Sequence, residues 1–222
     1  MYQCVLFDMD GTIVNSYEGI FHAYQWSLEK IGEKFGGDSF VQEAIGAPLV
    51  WVFENLCGLS PAKTQQAVAY YREYYARYGK REAHVYKGIE QSLNKLREAG
   101  CYLGTATLKK ENFAKEMLEG LGILSYFDTV CGMDKDDRFT KADLIRRCMQ
   151  YAGVPAEKTI LVGDSEFDAA GAREAGVDFL AVTYGFGFHD KKALEKWDVT
   201  KSADRADEIA ERICSRKEGM EQ

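Results

Sequence analysis

Hydrophobic and polar positions follow three regimes along the chain. The first is a short continuous apolar run, Tyr2 to Phe7, of the length of a strand buried on both faces. It ends in Asp8-Met-Asp10-Gly11-Thr12. The second runs from Ser16 to about Tyr78 and shows helical spacing with no convincing strand. Ile20, Ala23, Tyr24, Ser27, Leu28 and Ile31 fall on one helix face. Gly36-Gly37-Asp38 breaks that helix, with Asp38 or Ser39 as cap of the next. Gly46-Ala-Pro48 interrupts again before a helix from Leu49 to about Leu56. Ser60-Pro61 then starts a long helix, Ser as N-cap and Pro in the first turn, which Gly79 stops near Tyr78. Its stripe of Tyr71, Tyr74, Tyr75 and Tyr78 is expected to pack between helices.

From Val85 onward helix and strand alternate. Helices are expected over 88–99, 110–120, 141–151 and 167–175. Strands are expected over 101–106, 129–131, 159–162 and 179–182, and 202–216 reads as a closing amphipathic helix. Such alternation implies an α/β fold whose parallel sheet is flanked by helices on both faces. Ligands bind such sheets beyond the carboxyl ends of the strands, so the polar residues there are the ones that matter.

Asp8 and Asp10, two apart in extended chain, leave the same face and repel unless neutralised. A hard cation such as Mg2+ does this while keeping positions for substrate oxygens. Gly11 allows a sharp turn or a close ligand approach. After the second strand Thr107 offers a hydroxyl to a phosphate oxygen, with the backbone N–H groups of neighbours such as Leu108. Lys141 opens a helix, against the sense of the helix dipole, which suits a lysine aimed at carboxylates and phosphate. Gly163-Asp164 ends the next strand, and Asp168 follows one helical turn later, so both carboxylates can face one point.

These residues, in this order, resemble the four signatures of the haloacid dehalogenase superfamily: Asp8-x-Asp10-Gly11-Thr12, then Thr107, then Lys141, then Gly163-Asp164 with Asp168. The resemblance implies a Rossmann-like core, residues 1–15 and 80–222, with a small all-helical cap, residues 16–79, inserted after the first strand. Val85-Tyr-Lys-Gly88-Ile resembles the phosphoglycolate-phosphatase-like branch. Tyr70 to Tyr75, Lys141 to Ile145 and Tyr184-Gly-Phe-Gly187 resemble its 5′-nucleotidase-like members. Leu108 stands where that family commonly has Asn or Ser.

The chemistry implied is a Mg2+-dependent phosphatase acting on a small phosphorylated metabolite. Asp8 is the implied nucleophile and Asp10 the acid and base. Asp8, the Asp10 carbonyl and Asp164 are implied metal ligands, supported by Asp168. Gly11, Thr107, Leu108 and Lys141 are implied to surround the phosphoryl group. The runner-up readings are a 5′-nucleotidase, a hexose-phosphate mutase, a pyrophosphatase, a dehalogenase and a non-catalytic phosphate-sensing module. Gly163, where mutase-like relatives tend to carry Glu, favours the phosphatases, and an intact nucleophile disfavours the sensing module.

Composition narrows the setting. At 222 residues the chain can bury a sizeable core. A formal charge of −7 speaks against a nucleic-acid partner. Six scattered cysteines without a Cys-x-x-Cys pair read as small core residues in a reducing cytoplasm. Neither a signal peptide nor a membrane span is expected, and the expected state is a monomer or weak homodimer. Gly185-Phe-Gly187 lacks the third glycine of a dinucleotide loop. His22, His84 and His189 lack metal-ligand spacing.

Overall fold

The computed structural model describes residues 1–188 and 191–214, so His189 lies outside the described residues. Strand β1 (Cys4–Phe7) leads through a short strand, β2 (Val14–Asn15), into four helices, α1 (Tyr17–Lys30), α2 (Gly37–Ala44), α3 (Leu49–Trp51) and α4 (Pro61–Arg77). Strand β3 (His84–Val85) returns antiparallel to β2, so the two ends of the helical segment meet in one ribbon. Then follow α5 (Ile89–Glu98), β4 (Tyr102–Lys110), α6 (Glu111–Gly120), β5 (Thr129–Met133), α7 (Lys141–Ala152) and β6 (Thr159–Gly163). The chain continues with α8 (Glu166–Ala175), β7 (Asp178–Val182), α9 (Lys191–Lys196), β8 (Ser202–Ala203) and α10 (Ile209–Cys214).

The main sheet has the order β5-β4-β1-β6-β7-β8, and its paired strands are parallel. β1 is central and all four of its residues are buried, as a run without polar alternation requires. Its side chains serve two cores in turn. Val5 and Phe7 join the core with Leu93 of α5, Met117 of α6 and Ile209 of α10. Cys4 and Leu6 join the other with Leu144 and Ile145 of α7 and Ala172 of α8. Phe7 lies opposite Thr105 on β4 and Val162 on β6, so the three strands reach the site edge at nearly one level.

Local departures from the sequence expectation have identifiable causes. Residues 202–216 do not form one helix. Ser202–Ala203 instead pairs with the edge of β7, where the Ala181 and Thr183 amides donate to the Lys201 and Ala203 carbonyls. The helix begins only at Ile209, and residues 215–222 lie outside the described residues. α2 starts at Gly37, with positive φ, and neither Asp38 nor Ser39 caps it. Asp38 accepts from the Tyr17 hydroxyl and Ser39 donates to the Gly36 carbonyl. The helix over 49–56 starts as an α-helical turn, Leu49–Trp51, and widens into a π-helical turn, Val52–Leu56.

Strand β4 runs four residues past Ala106, with a register shift against β5 between Ala106 and Lys110. Thr107 and Leu108 therefore sit within the strand's end rather than after it. The tyrosine stripe divides: Tyr75 is 2% exposed, whereas Tyr78 is 55% exposed and does not pack between helices. All six cysteines are free thiols. Among the described residues no helix is long and apolar enough to cross a membrane.

Candidate active site

Local signals place the side chains. Thr140 and Asp143 form a reciprocal capping box that starts α7 at Lys141, and Ser165 with Asp168 does the same for α8. α7 and α8 lie side by side, α7 mainly over β4 and β5 and α8 over β6 and β7, and Gly171 of α8 clears the way for the lysine stem. A Cβ at Gly171 would lie 2.4 Å from Lys141 Cγ. The stem thus crosses α8 and delivers its ammonium to the end of β1.

There Lys141 Nζ donates to Asp8 Oδ1 at 2.6 Å and to the Ala106 carbonyl at 2.8 Å, and lies 2.7 Å from Asp168 Oδ1. Two of its protons are hydrogen-bonded, and Asp168 adds an ion pair. Burial works against its charge, but Asp168 and Asp8 outweigh that and raise its pKa above the ordinary lysine range. Asp168 Oδ2 accepts from the Ser165 amide and hydroxyl, whereas its buried Oδ1 accepts no hydrogen bond and meets only the Lys141 charge.

Asp164 is held by the loop after β7. Its Oδ2 accepts from the Phe186 and Gly187 amides at 2.6 and 3.2 Å, and its Oδ1 lies 3.4 Å from the Thr12 hydroxyl. Gly11 faces it at φ +81°, where a Cβ would lie 2.2 Å from Asp164 Oδ2. Gly185-Phe-Gly187 is thus an amide cradle for a carboxylate. Its signal was available: a Gly-x-Gly directly beyond the strand next to β6.

Asp8, Asp164 and Asp168 each offer an oxygen within 4.8 Å of the others, and all three are buried. Three carboxylates around one ammonium leave a shortage of positive charge. Burial pushes Asp8 up to about 7, helped by the negative charges of Asp168 and Asp10 and opposed by Lys141. Burial, then Asp168 and Asp8, also raise Asp164 well above the usual carboxylate range. Such a group wants a cation, and an all-oxygen donor set fits Mg2+. Asp8, Asp164 and Asp168 each keep an oxygen that such a cation would meet, Asp168 through its Oδ1, which accepts no hydrogen bond.

Asp10 stands in a different environment. Its Oδ1 accepts from the Ser16 hydroxyl, and its Oδ2 lies 3.0 Å from Lys109 Nζ. Neither Ser16 nor Lys109 was singled out from sequence. The signal for Lys109 was its place two residues after Thr107 in extended chain, on the same face. Thr107 is buried, and its hydroxyl accepts from the Lys109 amide at 3.2 Å; Leu108 is half-buried against the α7 side of the sheet. A cavity of about 380 Å³ opens beside the Asp164 loop, lined in part by Asn15, Tyr17, His84, Tyr86 and Phe186. His22 is engaged with Glu82 at 3.0 Å.

Comparison with known proteins agrees with this architecture. The profile of the haloacid dehalogenase-like hydrolases matches residues 5–182. A 5′-nucleotidase of Pseudomonas aeruginosa is 34% identical over 191 residues, covering 86% of each chain. The tyrosine-protein kinase PtkA of Mycobacterium tuberculosis is 30% identical over 212 residues, 95% of this chain and 72% of that one. A crystal structure of a predicted phosphatase from Clostridium acetobutylicum superposes with a TM-score of 0.90 at 33% identity, covering 96% of this chain and 98% of that one.

Proposed function

The chain belongs to the haloacid dehalogenase-like hydrolase family, and on that premise we propose that it is a Mg2+-dependent phosphatase of small phosphomonoesters. The observation that carries the reading is the unequal treatment of two neighbouring carboxylates. Asp8 sits in a buried cluster with Lys141, Asp164 and Asp168, while Asp10 sits apart with Ser16 and Lys109. Two carboxylates in different environments suit two roles, nucleophile and proton carrier.

In the first step an Asp8 oxygen bonds to phosphorus as the ester P–O bond breaks. The leaving alkoxide takes a proton from Asp10. In the second step water gives a proton to Asp10 while its oxygen attacks phosphorus. The acyl-phosphate bond breaks and returns Asp8 as a carboxylate with inorganic phosphate released. Lys141 opposes the effect of burial on Asp8 and aims it, and with Thr107 and the amides near Gly11 and Leu108 it receives the phosphoryl oxygens. Mg2+, held by Asp8, the Asp10 carbonyl and Asp164, would supply positive charge against the phosphoryl group, with Asp168 steadying the site through Lys141.

Residues 16–79 serve as a cap, and 1–15 with 80–222 as the catalytic core. The ribbon of β2 and β3 is the hinge between them, and the cap excludes water and selects the leaving group. The cavity beside the Asp164 loop is of a size for a small organic group. Nucleoside monophosphates are the first substrates to try, given the 5′-nucleotidase relative, and phosphoglycolate the next. The free cysteines suit a reducing cytoplasm. Inorganic phosphate release should be followed across a panel of phosphomonoesters with Mg2+ and again with excess EDTA. Release from some members, reversibly silenced by EDTA, is expected; full activity in EDTA, or none with any ester, would reject the reading.

A further inference from the structure

Asp10 is held from the side of the helical segment through a second buried lysine. Lys109 Nζ, at the end of β4, lies 3.0 Å from Asp10 Oδ2. The same ammonium donates to the Tyr75 hydroxyl of α4 at 2.7 Å and lies 4.2 Å from the centre of that ring. Burial opposes the Lys109 charge, but Asp10 and Tyr75 outweigh it and hold its pKa above the ordinary range.

Tyr75 is fixed in turn. Its ring stacks on Tyr71 at 5.9 Å with 4° between planes, and Tyr71 packs on Tyr24 of α1 at 4.7 Å. On the other side Tyr75 meets Phe113 of α6 at 6.1 Å. The hydroxyl that orients Lys109 is thus placed by the packing of α1 against α4. Lys141 and Lys109 divide the work at the strand ends, one gripping Asp8 and the other Asp10.

We propose that Lys109 is a positioning residue for Asp10, and that Tyr75 makes this position depend on the helical segment being docked on the sheet. The inference rests on the phosphatase reading above. A carboxyl gripped at both oxygens, by Ser16 and by Lys109, presents its proton to the leaving-group oxygen in one orientation. Loss of one grip frees its rotation, and small misplacements of a catalytic group carry large rate penalties. Docking of the helices would then switch on proton transfer to the leaving group, so that the acid is aimed only when substrate is covered.

The test compares leaving groups. Phenyl phosphate and 4-nitrophenyl phosphate are similar in size, but 4-nitrophenolate departs without a proton and phenolate profits from one. The ratio of their kcat/KM values, measured with Mg2+, reports the bond-breaking step and Asp10 as acid. Lys109→Met should lower kcat/KM for phenyl phosphate about 100-fold, the scale of general acid catalysis, and for 4-nitrophenyl phosphate only a few-fold. Tyr75→Phe keeps the packed ring and should change the ratio in the same direction by about threefold to tenfold, as one lost hydrogen bond does. Equal losses on both esters, or no loss, in folded variants would overturn the role. Should Lys109→Met not fold, Tyr75→Phe decides alone. A parent enzyme inert toward both esters removes the phosphatase reading and this role with it, whereas an active parent whose variants lose equally removes the role alone.

Discussion

Lys141 and Asp8, 133 residues apart in the chain, meet at 2.6 Å in a buried ion pair at the end of the central strand. The pair is structural as well as chemical, because the same ammonium neutralises Asp168. Lys141→Met keeps the stem and removes the charge. It should leave two buried carboxylates uncompensated and cost about 3–5 kcal/mol of stability at neutral pH. The loss should shrink in acid, where those carboxylates can take up protons. Urea unfolding at neutral and acidic pH measures both, and kcat/KM should fall by about 100-fold or more. A variant as stable as the parent at neutral pH would mean that the pair carries little.

The pKa of Asp8 makes stability depend on pH and metal together. Its folded value, about 7, lies above the unfolded aspartate range. The folded state therefore binds more protons between roughly pH 4 and 7, and stability of the metal-free protein falls as pH rises through that window. Asp164, also raised, acts in the same direction. A cation that binds the ionised carboxylates reverses this. The rise in Tm on adding Mg2+ should be larger near pH 8 than near pH 6. A rise independent of pH would argue against metal at these carboxylates.

Gly11 offers a test of the metal cluster that leaves every carboxylate in the sequence. With φ at +81° and Asp164 Oδ2 2.2 Å from a built Cβ, Gly11→Ala strains the backbone and displaces Asp164. The backbone term alone is about 1–3 kcal/mol. Mg2+ should bind at least about tenfold more weakly, as for loss of a supporting contact, read from the Mg2+ dependence of Tm. Gly32→Ala, also at positive φ but with open space around its Cβ, separates strain from collision. Equal effects on Mg2+ binding in the two variants would refute the collision.

The fold was legible because its signals are local and periodic. The run Tyr2 to Phe7 has the length of a strand buried on two faces, and the repeated strand and helix patterns after Val85 imply a parallel sheet. The carboxylates Asp8 and Asp164 were legible because parallel strands end together, so residues at strand ends gather, and Asp168 because it follows one helical turn after Asp164. What escaped depends on contacts between distant segments. Ser202 and Ala203 form a strand because β7 has an open edge, and two residues carry no period. Lys109 reaches Asp10 and Tyr75 inward although a lysine at a strand end reads as solvated. The Gly185-Phe-Gly187 loop failed as a dinucleotide motif, yet its two amides hold Asp164, a use that no spacing rule announces.

The central claim is that Asp8 attacks phosphorus and the Asp10 carboxyl moves protons. In Asp10→Asn the acid and base are lost while Asp8 and its partners remain. With 4-nitrophenyl phosphate and Mg2+ the first step needs no acid, whereas release of the phosphoryl group from Asp8 still needs the base. Acid quenching followed by peptide mass spectrometry should find a phosphoryl group on Asp8, with about one equivalent of 4-nitrophenolate released in a burst, as an accumulating covalent intermediate requires. Steady release of 4-nitrophenolate with Asp8 unmodified would contradict the account.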